Sequence, residues 1–89
     1  MTQQQPPKIE FPCENYVIKV LGDAGEALLQ HTLAVMSLHA VYDPSRVIIK
    51  PSSKGTYQSV TVWITATGVT QLEVIHRDLR ANSIVKIVF

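Results

Sequence analysis

The stretch Ser59, Val60, Thr61, Val62, Trp63, Ile64, Thr65, Ala66, Thr67 alternates, with Val60, Val62, Ile64 and Ala66 on one side and Thr61, Trp63 and Thr65 on the other. Successive side chains of a strand point to opposite faces, so this run predicts a strand buried on one face only. After Gly68 the period changes. Leu72, Ile75 and Leu79 fall on one helical face, and Thr70 with Glu73 three residues later has capping-box spacing, so a helix is expected to about Ala81. A one-faced strand feeding an amphipathic helix describes a sheet covered by helices on one side.

Upstream, Pro51 to Tyr57 is rich in turn formers and Arg46 to Lys50 is a short β-branched run, which with Ser59 to Thr67 reads as a hairpin. Asn15 to Leu21 is a further β-branched run closed by Gly22 and Asp23, and Ala24 to His39 carries Leu28, Leu29, Leu33, Val35, Met36 and Leu38 in a broad helical stripe. Tyr42, Asp43, Pro44 and Ser45 break that helix, and Ile84 to Phe89 supplies a last strand. The order is βαββαβ. It predicts an α+β, ferredoxin-like two-layer sandwich, a four-stranded antiparallel sheet with two helices on one face.

At 89 residues the chain has room for one domain, expected over 13–89, with residues 1–12, which hold Gln3, Gln4, Gln5, Pro6 and Pro7, as a flexible tail. A single cysteine leaves no internal disulfide, and 46% apolar against 17% charged residues excludes a disordered chain. The formal charge of +1 excludes a globally basic protein. The N-terminus has no apolar leader and no stretch approaches the roughly 18 apolar residues of a membrane span, so a cytoplasmic protein without membrane contact is expected.

Taking the more apolar parity of each strand as the inner face puts Tyr16, Ile18, Val20, Val47, Ile49, Val60, Val62, Ile64, Val85, Ile87 and Phe89 against the helices. The outward set then carries Lys19, Arg46, Lys50 and Lys86 with no carboxylate, interleaved with Val17, Leu21, Ile48, Thr61, Trp63, Thr65, Ile84 and Val88. Cations on edge strands discourage edge-to-edge aggregation, which accounts for part of this bias. The interleaved apolar residues point further, to an interaction face around Lys19, Trp63 and Lys86.

A second candidate is the loop Lys50, Pro51, Ser52, Ser53, Lys54, Gly55, Thr56, Tyr57. Its cations, hydroxyls and backbone N–H groups suit a small anion, with Lys50, Ser52, Ser53, Lys54 and Gly55 as the binding set. A solvated hairpin loop explains the same residues. Catalysis finds less support. His31, His39 and His76 lack the i, i+4 ligand spacing, Cys13 has no neighbouring cation, and Glu26, Glu73 and Asp78 read as solvated helix-surface charges. No catalytic residue, metal or cofactor is expected.

RNA-recognition domains share the βαββαβ order and read bases on the open sheet face. Here Thr56 and Gln58 stand where their strand signature needs aromatics, leaving Trp63 as the one stacking ring. Weak, salt-sensitive binding of single-stranded nucleic acid is therefore the rival reading, behind a small effector or a protein partner.

The run Lys50 to Val60, with Pro51, Ser52, Ser53, Lys54 and Gly55 at its heart, follows Phe11, Pro12 and the strand Tyr16 to Val20 with Gly22 and precedes a Val- and Ile-rich terminal strand. Together these resemble the YbeD family of small, functionally uncharacterised bacterial proteins. The resemblance spans nearly the whole chain after the tail. It implies a fold like that of the ACT-type regulatory domains of amino-acid biosynthetic enzymes, and hence regulation or interaction in place of turnover, with a homodimer among the arrangements left open. Gly22 and Gly25 occupy the region of the ACT ligand-binding glycine.

Overall fold

The computed structural model describes residues 11–52 and 54–89, in the order β1 (Cys13–Asp23), α1 (Glu26–His39), β2 (Val41–Tyr42), β3 (Ile48–Pro51), β4 (Tyr57–Ala66), α2 (Val69–Arg80) and β5 (Val85–Val88). Residues 1–10 of the expected tail, and Ser53 of the loop, lie outside the described residues. β4 pairs antiparallel with β1 from Cys13 opposite Ala66 to Asp23 opposite Tyr57, and β1 carries β5 on its far side. The other edge of β4 carries both β2 and β3. The expected four-stranded layout is thus present, with one edge strand split in two.

The split has a local cause. Tyr42 pairs with Ile64 and Ile48 with Thr61, so the five residues 43–47 stand opposite only Val62 and Trp63. The Asp43 carboxylate accepts the Ser45 N–H at 2.9 Å and the Ser45 hydroxyl at 2.6 Å, while the Arg46 N–H donates to the Asp43 carbonyl at 3.1 Å. Pro44 has no N–H to give a ladder. These bonds close a tight turn that pushes the surplus residues off the edge.

Both helices pack on one face. Ile18 and Val20 of β1 and Val60, Val62 and Ile64 of β4 meet Leu28, Val35 and Met36 of α1 and Ile75 and Leu79 of α2 in one buried cluster. Each such side chain contributes about 1.5–3 kcal/mol by leaving water. The inner parity of the two central strands is therefore the one their alternation predicts, and Trp63 lies on the open side.

The last strand departs from expectation. Val88, expected outward, is buried, whereas Ile87 and Phe89, expected in the core, are 45% and 62% exposed. Val20 pairs with Val88 and Leu21 with Ile87, but Gly22 pairs with Val85, which leaves Lys86 as an extra residue. A bulge of this kind flips the parity downstream of it. Its seat is Gly22, where a Cβ would stand 2.3 Å from the Ile84 carbonyl oxygen. The Asp23 N–H donates to that carbonyl at 2.9 Å. On the opposite edge Ile49, also expected in the core, is 44% exposed and opens on a depression it shares with Gly25, Glu26, Leu29 and Gln58.

The helix ends differ as well. No side-chain cap forms at Thr70; the N-cap of α2 is Gly68, which has no side-chain cap, and the Gln71 side chain instead ties Thr67, the residue before Gly68, to the end of α1. The Gln71 side-chain carbonyl accepts the Thr67 N–H at 2.7 Å, and its amide donates to the carbonyl of His39 at 2.8 Å. Gln58 does similar work at the start of α1, accepting from the Gly25 N–H at 3.3 Å and donating to the Gly25 carbonyl at 2.8 Å. Among the described residues, no helix is long and apolar enough to cross a membrane.

Candidate functional site

On the open face the strand registers arrange the side chains in rows. Ile87, Leu21, Ser59 and Lys50 form one row across β5, β1, β4 and β3. Lys19, Thr61 and Ile48 form the next, and the Phe89 N–H donates to the Lys19 carbonyl at 2.8 Å, which extends that row to Phe89. Paired residues of antiparallel strands share a face, so the two lysines rise from β1 and β3 on either side of β4. They stand two strand spacings apart, about 10 Å across the sheet. Between them β4 presents short hydroxyl side chains.

The result is a concavity of about 300 Å³ lined by Lys19, Leu21, Lys50, Ser52, Ser59 and Phe89, with Pro51 at its rim. Its floor at Ser59 is buried, and the Lys19 ammonium lies 5.8 Å from the centroid of the Phe89 ring. Among the described residues, neither Lys19 nor Lys50 has a carboxylate within ion-pair distance. Two uncompensated cations over hydroxyls and an apolar wall make a place for an anion with an apolar part.

The loop residues divide. Lys50 and Ser52 line the trough, whereas Lys54 and Gly55 do not, and Ser53 lies outside the described residues. The loop amides serve its own geometry: Ser52 N–H donates to the Tyr57 carbonyl at 2.8 Å, Gly55 N–H to the Ser52 carbonyl at 3.0 Å, and Tyr57 N–H to the Ser52 hydroxyl at 3.2 Å. Gly55 has φ 72°, the left-handed conformation in which a glycine is favoured.

Two members of the expected interaction face are engaged internally. The Arg46 guanidinium lies 4.5 Å from the centroid of the Trp63 ring and donates to Asn15 Oδ1 at 3.0 Å, so it covers the indole. Lys86 donates to the Ser83 carbonyl at 3.1 Å and reaches Asp23 Oδ1 at 3.8 Å. The Lys86 edge therefore holds a carboxylate, contrary to the expected carboxylate-free set. Asp23 extends β1 past the Leu21 at which that strand was expected to end.

The helix layer holds a pair that spacing did not reveal. His39 Nε2 lies 2.6 Å from Asp78 Oδ2, and Arg77 Nε donates to Asp78 Oδ1 at 3.2 Å. The bond with His39 is the main influence holding the Asp78 carboxyl below its usual range, so Asp78 is an interhelical partner instead of a solvated surface charge. His31 Nε2–H donates to the Leu79 carbonyl at 3.0 Å and ties the same two helices. These pairs lie across the sheet from the trough. No group of three potential metal ligands occurs among the described residues.

Comparison with known proteins gives the family and the fold. The family model described as "Protein of unknown function (DUF493)" matches residues 6–89. A UPF0250 protein of Pseudomonas paraeruginosa is 52% identical over 85 residues, covering 94% of this chain and 91% of the relative. One of Azotobacter vinelandii is 51% identical over 88 residues, covering 98% and 96%. Among solved structures, the ACT domain from GTP pyrophosphokinase of Chlorobium tepidum superposes with a TM-score of 0.65 at 15% identity, over 82% of this chain and 91% of that one. Protein HP0495 from H. pylori superposes with a TM-score of 0.70 at 15% identity, over 99% and 98%. These two show an ACT-like, ferredoxin-like fold, and the sequence relatives bear out the resemblance to the YbeD family. With a family model matching all but the first five residues and relatives about half identical along nearly the whole chain, this protein belongs to the DUF493 family.

Proposed function

We propose that this chain is a non-catalytic, ACT-like regulatory module that binds a small organic anion in the trough between Lys19 and Lys50. The observation that carries the reading is that two cations without a carboxylate partner among the described residues flank a concavity floored by the Ser59 hydroxyl. A carboxylate or phosphate entering the trough gains charge-assisted hydrogen bonds from the two exposed ammonium groups while its carbon skeleton meets Leu21 and Phe89. The ring that single-stranded nucleic acid would stack on is covered by Arg46, which favours the small anion over the nucleic-acid reading. The pair closest to acid–base chemistry, His39 and Asp78, joins two helices on the other layer.

Amide chemical-shift titrations with inorganic phosphate, a short-chain dicarboxylate and a single-stranded RNA oligomer test the proposal. Shifts confined to Lys19, Leu21, Lys50 and Ser59 on adding a small anion, lost in Lys19→Ala/Lys50→Ala, are expected. Shifts with the RNA alone, or small-anion shifts that survive the double substitution, would overturn it.

A further inference from the structure

The trough has two unlike ends. At one, Lys50 stands directly opposite Ser59, and Ser52 continues the line of β3 past Pro51, its N–H on the Tyr57 carbonyl at 2.8 Å. Residues two apart in a strand share a face, so the lysine and the two serines rise on the open side and line one concavity. At the other end stand Leu21, Phe89 and Lys19, whose ammonium lies 5.8 Å from the centroid of the Phe89 ring.

The serine hydroxyls carry the chemical information. Ser59 is 7% exposed, and among the described residues its hydroxyl makes no hydrogen bond, although no fully buried side-chain polar atom there lacks a partner. The hydroxyl therefore opens on the trough that Ser59 lines, with a hydrogen bond still to make. The Ser52 hydroxyl accepts the Tyr57 N–H at 3.2 Å, which leaves its own proton free to donate. Two hydroxyl donors and the Lys50 ammonium thus border one spot from three sides.

A carboxylate offers two oxygens in one plane. A phosphomonoester offers three in a tetrahedral array and carries about −1.5 to −2 charge at neutral pH. That charge matches both Lys19 and Lys50, where a single carboxylate would match one of them. Leu21 and Phe89 give the carbon side of an ester an apolar wall, and about 300 Å³ is the lower end of the range for small-molecule clefts. Resting on the proposed binding of a small anion, we infer that the ligand of the trough is a small organic phosphomonoester. Its phosphate is held by Lys50, Ser52 and Ser59, its apolar group lies on Leu21 and Phe89, and Lys19 supplies the second positive charge.

Amide chemical-shift titrations of the full chain with phenyl phosphate, methyl phosphate, benzoate and phenylsuccinate, read at Leu21, Lys50 and Ser59, test this assignment. Phenyl phosphate is expected to bind about tenfold tighter than benzoate and than phenylsuccinate, which matches it in charge and ring but not in the shape of its anion. It is also expected to bind severalfold tighter than methyl phosphate, which lacks the ring. Ser59→Ala, a change of one atom, is expected to weaken phenyl phosphate by about tenfold and phenylsuccinate by under about threefold. Phe89→Ala, at a residue 62% exposed, is expected to bring phenyl phosphate down to the methyl phosphate level. Either carboxylate binding at least as tightly as phenyl phosphate, or a phenyl phosphate affinity unmoved by both substitutions, overturns the phosphomonoester assignment and leaves the small-anion reading standing. No shift at these residues with any of the four compounds overturns both.

Discussion

Arg46 lies over Trp63, its guanidinium 4.5 Å from the ring centroid and anchored to Asn15 Oδ1 at 3.0 Å. The bond comes from the split edge strand: the turn built on Asp43 returns the chain to the sheet at the height where Arg46 can cross the indole. Arg46→Ala is expected to cost about 1 kcal/mol. It is also expected to red-shift the emission of the single tryptophan, because the indole loses its cover. An unchanged spectrum and urea midpoint would show that the stack contributes nothing in solution.

Gly22 in β1 packs tightly against Ile84, the residue that leads into β5. A Cβ there meets the Ile84 carbonyl oxygen at 2.3 Å and Leu28 Cδ1 at 2.7 Å, and the first of these is backbone that cannot rotate aside. Gly22→Ala is expected to destabilise by about 3 kcal/mol, measured by urea denaturation. A loss under about 1 kcal/mol would mean that β5 can slide off its bulge without penalty.

The bulge also reverses the ranking of two valine and isoleucine truncations. Val88 is buried against the core and Ile87 is on the open face. Val88→Ala is expected to cost about 2 kcal/mol and Ile87→Ala under about 1, by thermal or chemical unfolding. Simple alternation along the last strand demands the opposite order.

The Gln71 side chain links the chain entering α2 to the end of α1, accepting from the Thr67 N–H and donating to the His39 carbonyl. Gln71→Ala is expected to cost about 1–2 kcal/mol, and Thr70→Ala under about 0.5. Equal losses from the two would restore the capping box.

Asp78 supplies a pH dependence whose sign is fixed. Its carboxyl is held below the reference 3.8, first by the hydrogen bond with His39 and then by that with Arg77, against the opposing effect of desolvation. A group whose folded value is depressed contributes stability that is complete above its unfolded value and is lost as pH falls through the folded one. Asp78→Asn is therefore expected to flatten the fall in urea midpoint below about pH 4, leaving a residual slope from Asp43, which its Ser45 hydrogen bonds also hold low. An acid limb identical in both proteins would mean that the His39 contact is absent in solution.

How much of this was legible beforehand depended on the range of the signal. The inner face of β4 was readable because alternation is written into consecutive residues, and Val60, Val62, Ile64 and Ala66 are all buried as that alternation requires. The helices declared themselves by period for the same reason. The resemblance to the YbeD family also held, since a family pattern is itself a property of order along the chain.

What the amino-acid order determined by itself, then, is the sequence of elements, the covered and open sides of the central strands, and the family. Tertiary structure decided the rest. No local pattern announces that Gln71 bridges Thr67 and the His39 carbonyl or that Gly22 admits the Ile84 carbonyl, or brings His39 to Asp78 across 39 positions. The trough is of this second kind: Lys19, Lys50 and Ser59 belong to three strands and meet only because the registers of β1, β4 and β3 align them. Register is fixed by the burial of whole faces and by bulges at single residues, which are properties of the assembled sheet and not of any one segment of it.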